Sequence, residues 1–217
     1  MISTLPPTSC GIATFATALA RGLRRHGATV EFVEAGPTLS TTTDARVHLG
    51  DATPERLDEV ASVLNECRAT IVQHEYGIYP GRDGSSVLDV VGRLTNQIVV
   101  VAHTVLSAPT SSQRRILAAL CATADVVVVM TDVARQRLVD HYDVAPPRIR
   151  VIPHGAAVTD GVHAAHGVDG PTLLTWGLLG PGKGIEWAID AVAQLASRRP
   201  NLRYVVAGAT HPNVRER

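Results

Sequence analysis

The chain has 217 residues, 45% of them hydrophobic, with 20 basic against 20 acidic side chains and three cysteines. That is apolar enough for a sizeable core, and too evenly charged to mark a polyanion-binding surface. Cys10, Cys67 and Cys121 make no C-x-x-C pair and argue against a disulfide framework. No apolar run nears membrane-spanning length and residues 1–20 lack a signal-peptide pattern, so a cytoplasmic protein is expected, with peripheral membrane contact left open.

In chain order, the short run Met1–Leu5 precedes a stripe of Ile12, Phe15, Ala16, Leu19 and Leu23, a helical pattern closed by Gly27. Strands are expected at Thr29–Glu34 and Ala45–Leu49, and Thr53 with Pro54 opens a helix to about Cys67. Further strands follow at Thr70–His74 and Ile98–His103. Thr110 with Gln113 then forms a capping-box start for a helix to about Thr123. Val126–Met130 and Arg150–His154 complete the first run of strands. Arg21, Arg24 and Arg25, like Arg198 and Arg199, fall late in helical patterns, where positive charge suits the helix dipole. Residues 155–171 are rich in Gly, Ala and His and read as a linker; His163 and His166 lie in it and carry no assigned role.

After the linker come a strand at Thr172–Trp176, a glycine-rich turn at Gly177–Gly184, and a stripe of Ile185, Ala188, Ile189, Val192 and Leu195 stopped by Pro200. A strand at Arg203–Ala207 follows. Strands alternating with helices mean an α/β fold with a mostly parallel, Rossmann-like sheet and flanking helices. The expected domains are residues 1–154, the linker 155–171, and residues 172–217. The last segment holds only β-α-β, too little to cover a sheet, so the second domain reads as incomplete.

The turn Gly177–Gly184 has the composition of a phosphate cradle. Gly177, Gly180, Gly182 and Gly184 let backbone approach an anion, the following helix offers free N–H groups, and Lys183 adds a positive charge. Gly177–Lys183 fits G-x-x-x-x-G-K, but Gly184 stands where a P-loop needs Ser or Thr for Mg²⁺. Gly11 starts a helix whose free N–H groups suit a phosphate, although a lone glycine turn is by itself better read as an ordinary packing turn. Gln73, His74, Glu75, Tyr76 and Tyr79 crowd the carboxyl end of a strand, where open α/β sheets bind ligands. His103 and His154 also end strands, and Gly208–Pro212 brings His211 to another strand end. His154 could touch a ligand or simply turn the chain. There is no metal-ligand set, no G-x-S-x-G elbow and no G-x-G-x-x-G after a strand.

The order CGIATF, QHEYGI, HTV, VIPHG, GLLGPGKGIE and GATHP resembles the retaining, nucleotide-sugar-dependent glycosyltransferases of the GT-B fold, glycosyltransferase family 4. The resemblance covers nearly the whole chain. It implies two Rossmann-like domains facing across a cleft, with the acceptor mainly on the first and the donor mainly on the second. By matching motif, Gly11 would lie near the donor phosphates or acceptor and His103 beside the transferred sugar. Lys183, with Gly182 and Gly184, would bind the donor diphosphate, and His103 and Lys183 would be catalytic. Gln73, His74, Glu75 and Tyr76 would shape the acceptor side, with His154 and His211 as further candidates. Leu178 stands where the family commonly has an arginine, so one expected cation is missing.

The family's downstream pair of glutamates would fall beyond Arg217, so the chain resembles a truncated enzyme. The resemblance further implies a UDP-, GDP- or ADP-sugar as substrate, and no tightly bound cofactor or metal. A glycan, lipid or small-molecule acceptor follows from it, and no nucleic acid partner. A non-catalytic remnant or interaction protein is the alternative, with a P-loop-like nucleotide hydrolase behind it.

Overall fold

The computed structural model describes residues 1–36, 44–156 and 170–210. Its contacts divide the chain into two units, Met1–Gly155 and Ala156–Arg217.

In the first unit, short runs of two to six residues, most of them apolar, pair as parallel strands. In chain order the elements are β1 (Ile2–Ser3), α1 (Gly11–Arg25), β2 (Phe32–Glu34), β3 (Ala45–His48), α2 (Pro54–Asn65), β4 (Ala69–His74), α3 (Ser86–Val91), β5 (Gln97–Ala102), α4 (Ser111–Thr123), β6 (Val126–Val129), α5 (Asp132–Tyr142) and β7 (Ile149–Val151). The sheet has seven strands in the order β3-β2-β1-β4-β5-β6-β7, every neighbouring pair parallel. This is the α/β Rossmann-like class expected from the sequence. The strand order reverses between β1 and β4, and the crevice outside the carboxyl ends of two such strands is where open sheets of this kind hold ligands.

Alternation along β1 sends Met1 and Leu5 toward α1, where they pack with Ala16, Ala20 and Phe32, and sends Ile2 into the larger core. That larger core gathers Val72 of β4, Val100 of β5, Val127 of β6 and the buried faces of α2, α3 and α4. Helix starts follow local chemistry. Thr53 caps α2 by accepting from the Arg56 N–H, with Pro54 in the first turn, and Thr110 and Gln113 exchange both bonds of a capping box at α4. Asp143, in the left-handed conformation, ends α5.

The differences from the sequence reading are local. β1 is two residues long, because Pro6 and Pro7 follow and cannot donate to a ladder. β7 stops at Val151, and after the Ile152 N–H bonds the Val129 carbonyl, Pro153 offers no further donor. α3 and α5 carry no clear stripe: the first has only six residues, and the second is DVARQRLVDHY, with only Leu138 and Tyr142 buried.

The second unit pairs β8 (Thr172–Trp176) with β9 (Arg203–Ala207) in parallel, joined through α6 (Ile185–Leu195). The ladder extends through the Leu179–Thr210 bridge. Gly208 passes so close to β8 that a Cβ there would stand 1.8 Å from the Gly177 carbonyl oxygen. Much of the linker read at 155–171, with His163 and His166, lies outside the described residues, as does His211.

Candidate functional site

The carboxyl ends of β1 and β4, flanking the strand reversal, lead into the two segments that carry most of the candidate residues. β1 continues through Pro6–Cys10 into α1, and β4 ends at His74 and continues into Glu75–Pro80. α1 begins at Gly11, its preceding Cys10 makes no side-chain cap, and its first turn contains no acidic residue. Its leading N–H groups are therefore not capped by a side chain, which is the arrangement that attracts an anion.

The polar groups at the end of β4 are drawn together by register. Gln73 pairs with Val101 and His74 with Ala102, so that the His103 N–H reaches the His74 carbonyl at 3.1 Å. The Gln73 Oε1 then lies 2.7 Å from His103 Nε2, while Gln73 Nε2 points to the Met1 sulfur at 3.6 Å. The Tyr79 hydroxyl donates to the Gln73 carbonyl at 2.7 Å from a fully buried position. Glu75 spans the loop: one oxygen accepts from the Tyr76 N–H at 2.9 Å and the other from the Thr104 hydroxyl. Phe15 of α1 stands edge-on to His103, with ring centroids 4.9 Å apart, and lies 5.0 Å from the ring of exposed His154. The Tyr76 ring meets His74 edge-on at 4.9 Å.

Burial sets the electrostatics. His74 is 1% exposed and neither ring nitrogen has a hydrogen-bond partner among the described residues. Desolvation, with His103 nearby, pushes its pKa down to about 4. His103 is likewise held down to about 4 by desolvation and by His154, so it is neutral at pH 7. Desolvation raises the Tyr76 and Tyr79 phenols above their ordinary range, so both remain hydrogen-bond donors at neutral pH.

The structure thus brings Gln73, Glu75, His103 and His154 to the carboxyl edge of the sheet, where α1 starts at Gly11. It buries His74 beneath Tyr76 instead of presenting it. Two contributors have only ordinary roles in the sequence. Phe15 is a core-stripe residue of α1 that also touches two candidate histidines, and Thr104 follows His103 and binds Glu75.

In the second unit, Gly177 and Gly182 have positive φ, and Gly184 caps α6 in the left-handed conformation with no side-chain hydrogen bond. Lys183 is exposed, and its N–H bonds the Gly180 carbonyl at 3.3 Å. Glu186 lies in the first turn of α6 and offsets part of the positive end of the helix. Among the described residues no cluster of His, Cys, Asp or Glu has the arrangement to hold a metal, and no helix is long and apolar enough to cross a membrane.

The model of the domain described as Glycosyltransferase Family 4 matches residues 10–159, which takes in α1, the Gln73–Tyr76 segment, His103 and His154. The chain belongs to Glycosyltransferase Family 4. Solved structures agree with a glycosyltransferase fold. A glycosyltransferase from Rickettsia africae aligns with a TM-score of 0.59 at 14% identity, over 98% of this chain and 68% of that one. A mutant of S. aureus TarM, in complex with fondaparinux, α-GlcNAc-glycerol and UDP, aligns with a TM-score of 0.52 at 14% identity. That alignment covers 74% of this family 4 chain, which spans 33% of the TarM chain. No curated protein matches the sequence.

Proposed function

We propose that this chain moves a sugar from a nucleotide-sugar donor to a glycan, lipid or small-molecule acceptor, with retention at the anomeric carbon. The observation that carries the reading is the Gln73–His103 pair at the carboxyl edge of the sheet, inside the segment that defines the family. A neutral imidazole and an amide suit hydroxyl groups, and the side-chain-uncapped start of α1 at Gly11 suits a phosphate.

In this reading the first unit binds acceptor and transferred sugar. Glu75 and Tyr76 shape the acceptor side, with Gln73 and buried His74 supporting them from the strand, and His154 flanks Phe15. The second unit binds the donor diphosphate through Lys183 and the backbone around Gly182 and Gly184. Breaking the anomeric bond leaves charge on the diphosphate, and Lys183 with the N–H groups opening α6 would stabilise it. Both Glu75 oxygens already accept hydrogen bonds, and His103 is neutral with Nε2 engaged. Transfer in which the leaving phosphate takes the acceptor proton asks for no further base.

The test is incubation of the protein with UDP-, GDP- and ADP-sugars and a panel of glycan and lipid acceptors, with the product's anomeric configuration read by NMR. UDP is the first nucleotide to try, since the TarM complex contains it. Product with the donor's configuration is expected. An inverted product would overturn retention, and Mg²⁺-dependent ATP or GTP hydrolysis without transfer would favour a nucleotide hydrolase.

A further inference from the structure

A histidine ring presents a donor or an acceptor at each nitrogen according to its tautomer, and the tautomer follows from the partner that one nitrogen is given. At His103 that partner is Gln73. Which end of the Gln73 amide faces the histidine is fixed by what lies behind it. The Met1 sulfur, 3.6 Å from Gln73 Nε2, accepts hydrogen bonds and donates none. Turning the amide over would set its oxygen against the sulfur and leave a fully buried acceptor unpaired. The amide oxygen therefore faces His103 Nε2 at 2.7 Å and requires a proton there.

The rest of the surroundings hold both groups in place. Gln73 is completely buried, its own carbonyl is taken by the Tyr79 hydroxyl, and its strand is in register with β5. The Phe15 edge fixes the imidazole plane. Nδ1 has no hydrogen-bond partner among the described residues and, in this tautomer, carries a lone pair.

We infer that Gln73 is a positioning residue: it holds His103 as the Nε2–H tautomer, so that Nδ1 accepts a hydrogen bond from a hydroxyl of the bound sugar. The choice of sugar as ligand rests on the glycosyltransferase reading, whereas the tautomer does not. The ring is neutral at pH 7, as a lone-pair acceptor must be. Such a ring selects a ligand hydroxyl and offers no positive charge to a phosphate.

The experiment is long-range ¹H–¹⁵N correlation NMR on histidine-labelled protein, with His103 assigned by His103→Asn. Wild type should show protonated Nε2 and unprotonated Nδ1 at pH 7. The opposite pattern would overturn the proposal without any variant or ligand. In folded Gln73→Leu the preference should collapse to a mixture, and so it should in Gln73→Met, which is closer to glutamine in shape and also lacks the amide oxygen. An unchanged tautomer in Gln73→Leu would remove Gln73 from the account. If Gln73→Leu does not fold, the wild-type and Gln73→Met spectra still decide.

Adding UDP-glucose, GDP-mannose or ADP-glucose should shift His103 Nδ1 toward the hydrogen-bonded range, where UDP, GDP or ADP alone should not. Gln73→Leu should bind the responding nucleotide-sugar about tenfold more weakly, with its affinity for the bare nucleotide unchanged. A nucleotide-sugar that binds without moving Nδ1 would refute the hydroxyl contact. Failure of every nucleotide-sugar to bind a protein with the expected tautomer would instead sink the glycosyltransferase reading, and the sugar ligand with it.

Discussion

The ring of Phe15 meets the imidazole of His103 edge-on at a centroid distance of 4.9 Å, tying the first turns of α1 to the end of β5. An aromatic edge contact adds about 0.5–1.5 kcal/mol to the area it buries. Because Phe15 is only half-buried, Phe15→Ala should cost about 2 kcal/mol in urea unfolding, and Phe15→Leu about 1 kcal/mol. Both should weaken sugar binding more than their loss of stability explains, since each frees the His103 ring. Equal sugar affinity in the folded variants would show that Phe15 only packs.

His74 makes stability depend on acid. An unfolded histidine takes up its proton as pH falls through 6.5, whereas His74 in the fold does so only near 4. Between those values the unfolded chain binds more protons, so stability falls as pH falls, by up to about 1.4 kcal/mol per unit. Above 6.5 the residue contributes no slope. His74→Met should therefore flatten the decline in unfolding midpoint between pH 6.5 and 4.5. It should cost little at pH 7, because it removes two buried nitrogens that have no partner among the described residues. A slope unchanged from wild type would assign the acid sensitivity to other groups.

The capping box at α4 offers a local test. Thr110→Ala removes the acceptor for the Gln113 N–H and should lower stability by about 1 kcal/mol. Because the Tyr76 hydroxyl reaches the Gln113 carbonyl at 3.5 Å, loosening this turn should also raise hydrogen exchange in the Glu75–Pro80 loop. Exchange confined to α4 would show that the loop does not depend on the cap.

Gly208 is the sharpest steric constraint in the second unit. In Gly208→Ala the new methyl would meet the Gly177 carbonyl oxygen at 1.8 Å, so β8 and β9 cannot keep their spacing there. Amide protection in Leu173–Trp176 and Tyr204–Ala207 should be lost, while β4 and β5 in the other unit remain protected. Retained protection in β8 and β9 would show that the turn after β9 relaxes without cost.

Where a short run rich in apolar and β-branched residues lies between turn residues, its limits are legible directly. Thr172–Trp176 and Arg203–Ala207 coincide with β8 and β9. α3 and α5 are not legible that way, because a six-residue helix gives too few turns for a period and α5 is polar around most of its circumference. The site divides similarly. That Gln73 to Tyr76 end a strand follows from the apolar run before them. That Gln73 bonds His103, 30 residues away, depends on the register of β4 with β5, which no local pattern encodes. The burial of His74 follows from alternation too: its neighbour Gln73 points to the α1 side with Met1, and His74 turns to the other face under Tyr76.

In the proposed reading the protein uses a nucleotide-sugar, gripped at its diphosphate by Lys183 and the turn around it. Isothermal titration of the wild type and Lys183→Ala with UDP-, GDP- and ADP-sugars tests it most directly. Saturable binding of one nucleotide class by the wild type is expected, with affinity reduced at least tenfold in the variant, since a charge-assisted contact contributes about 1.5–3 kcal/mol. Equal binding by both proteins, or no binding by a folded wild type, would contradict it.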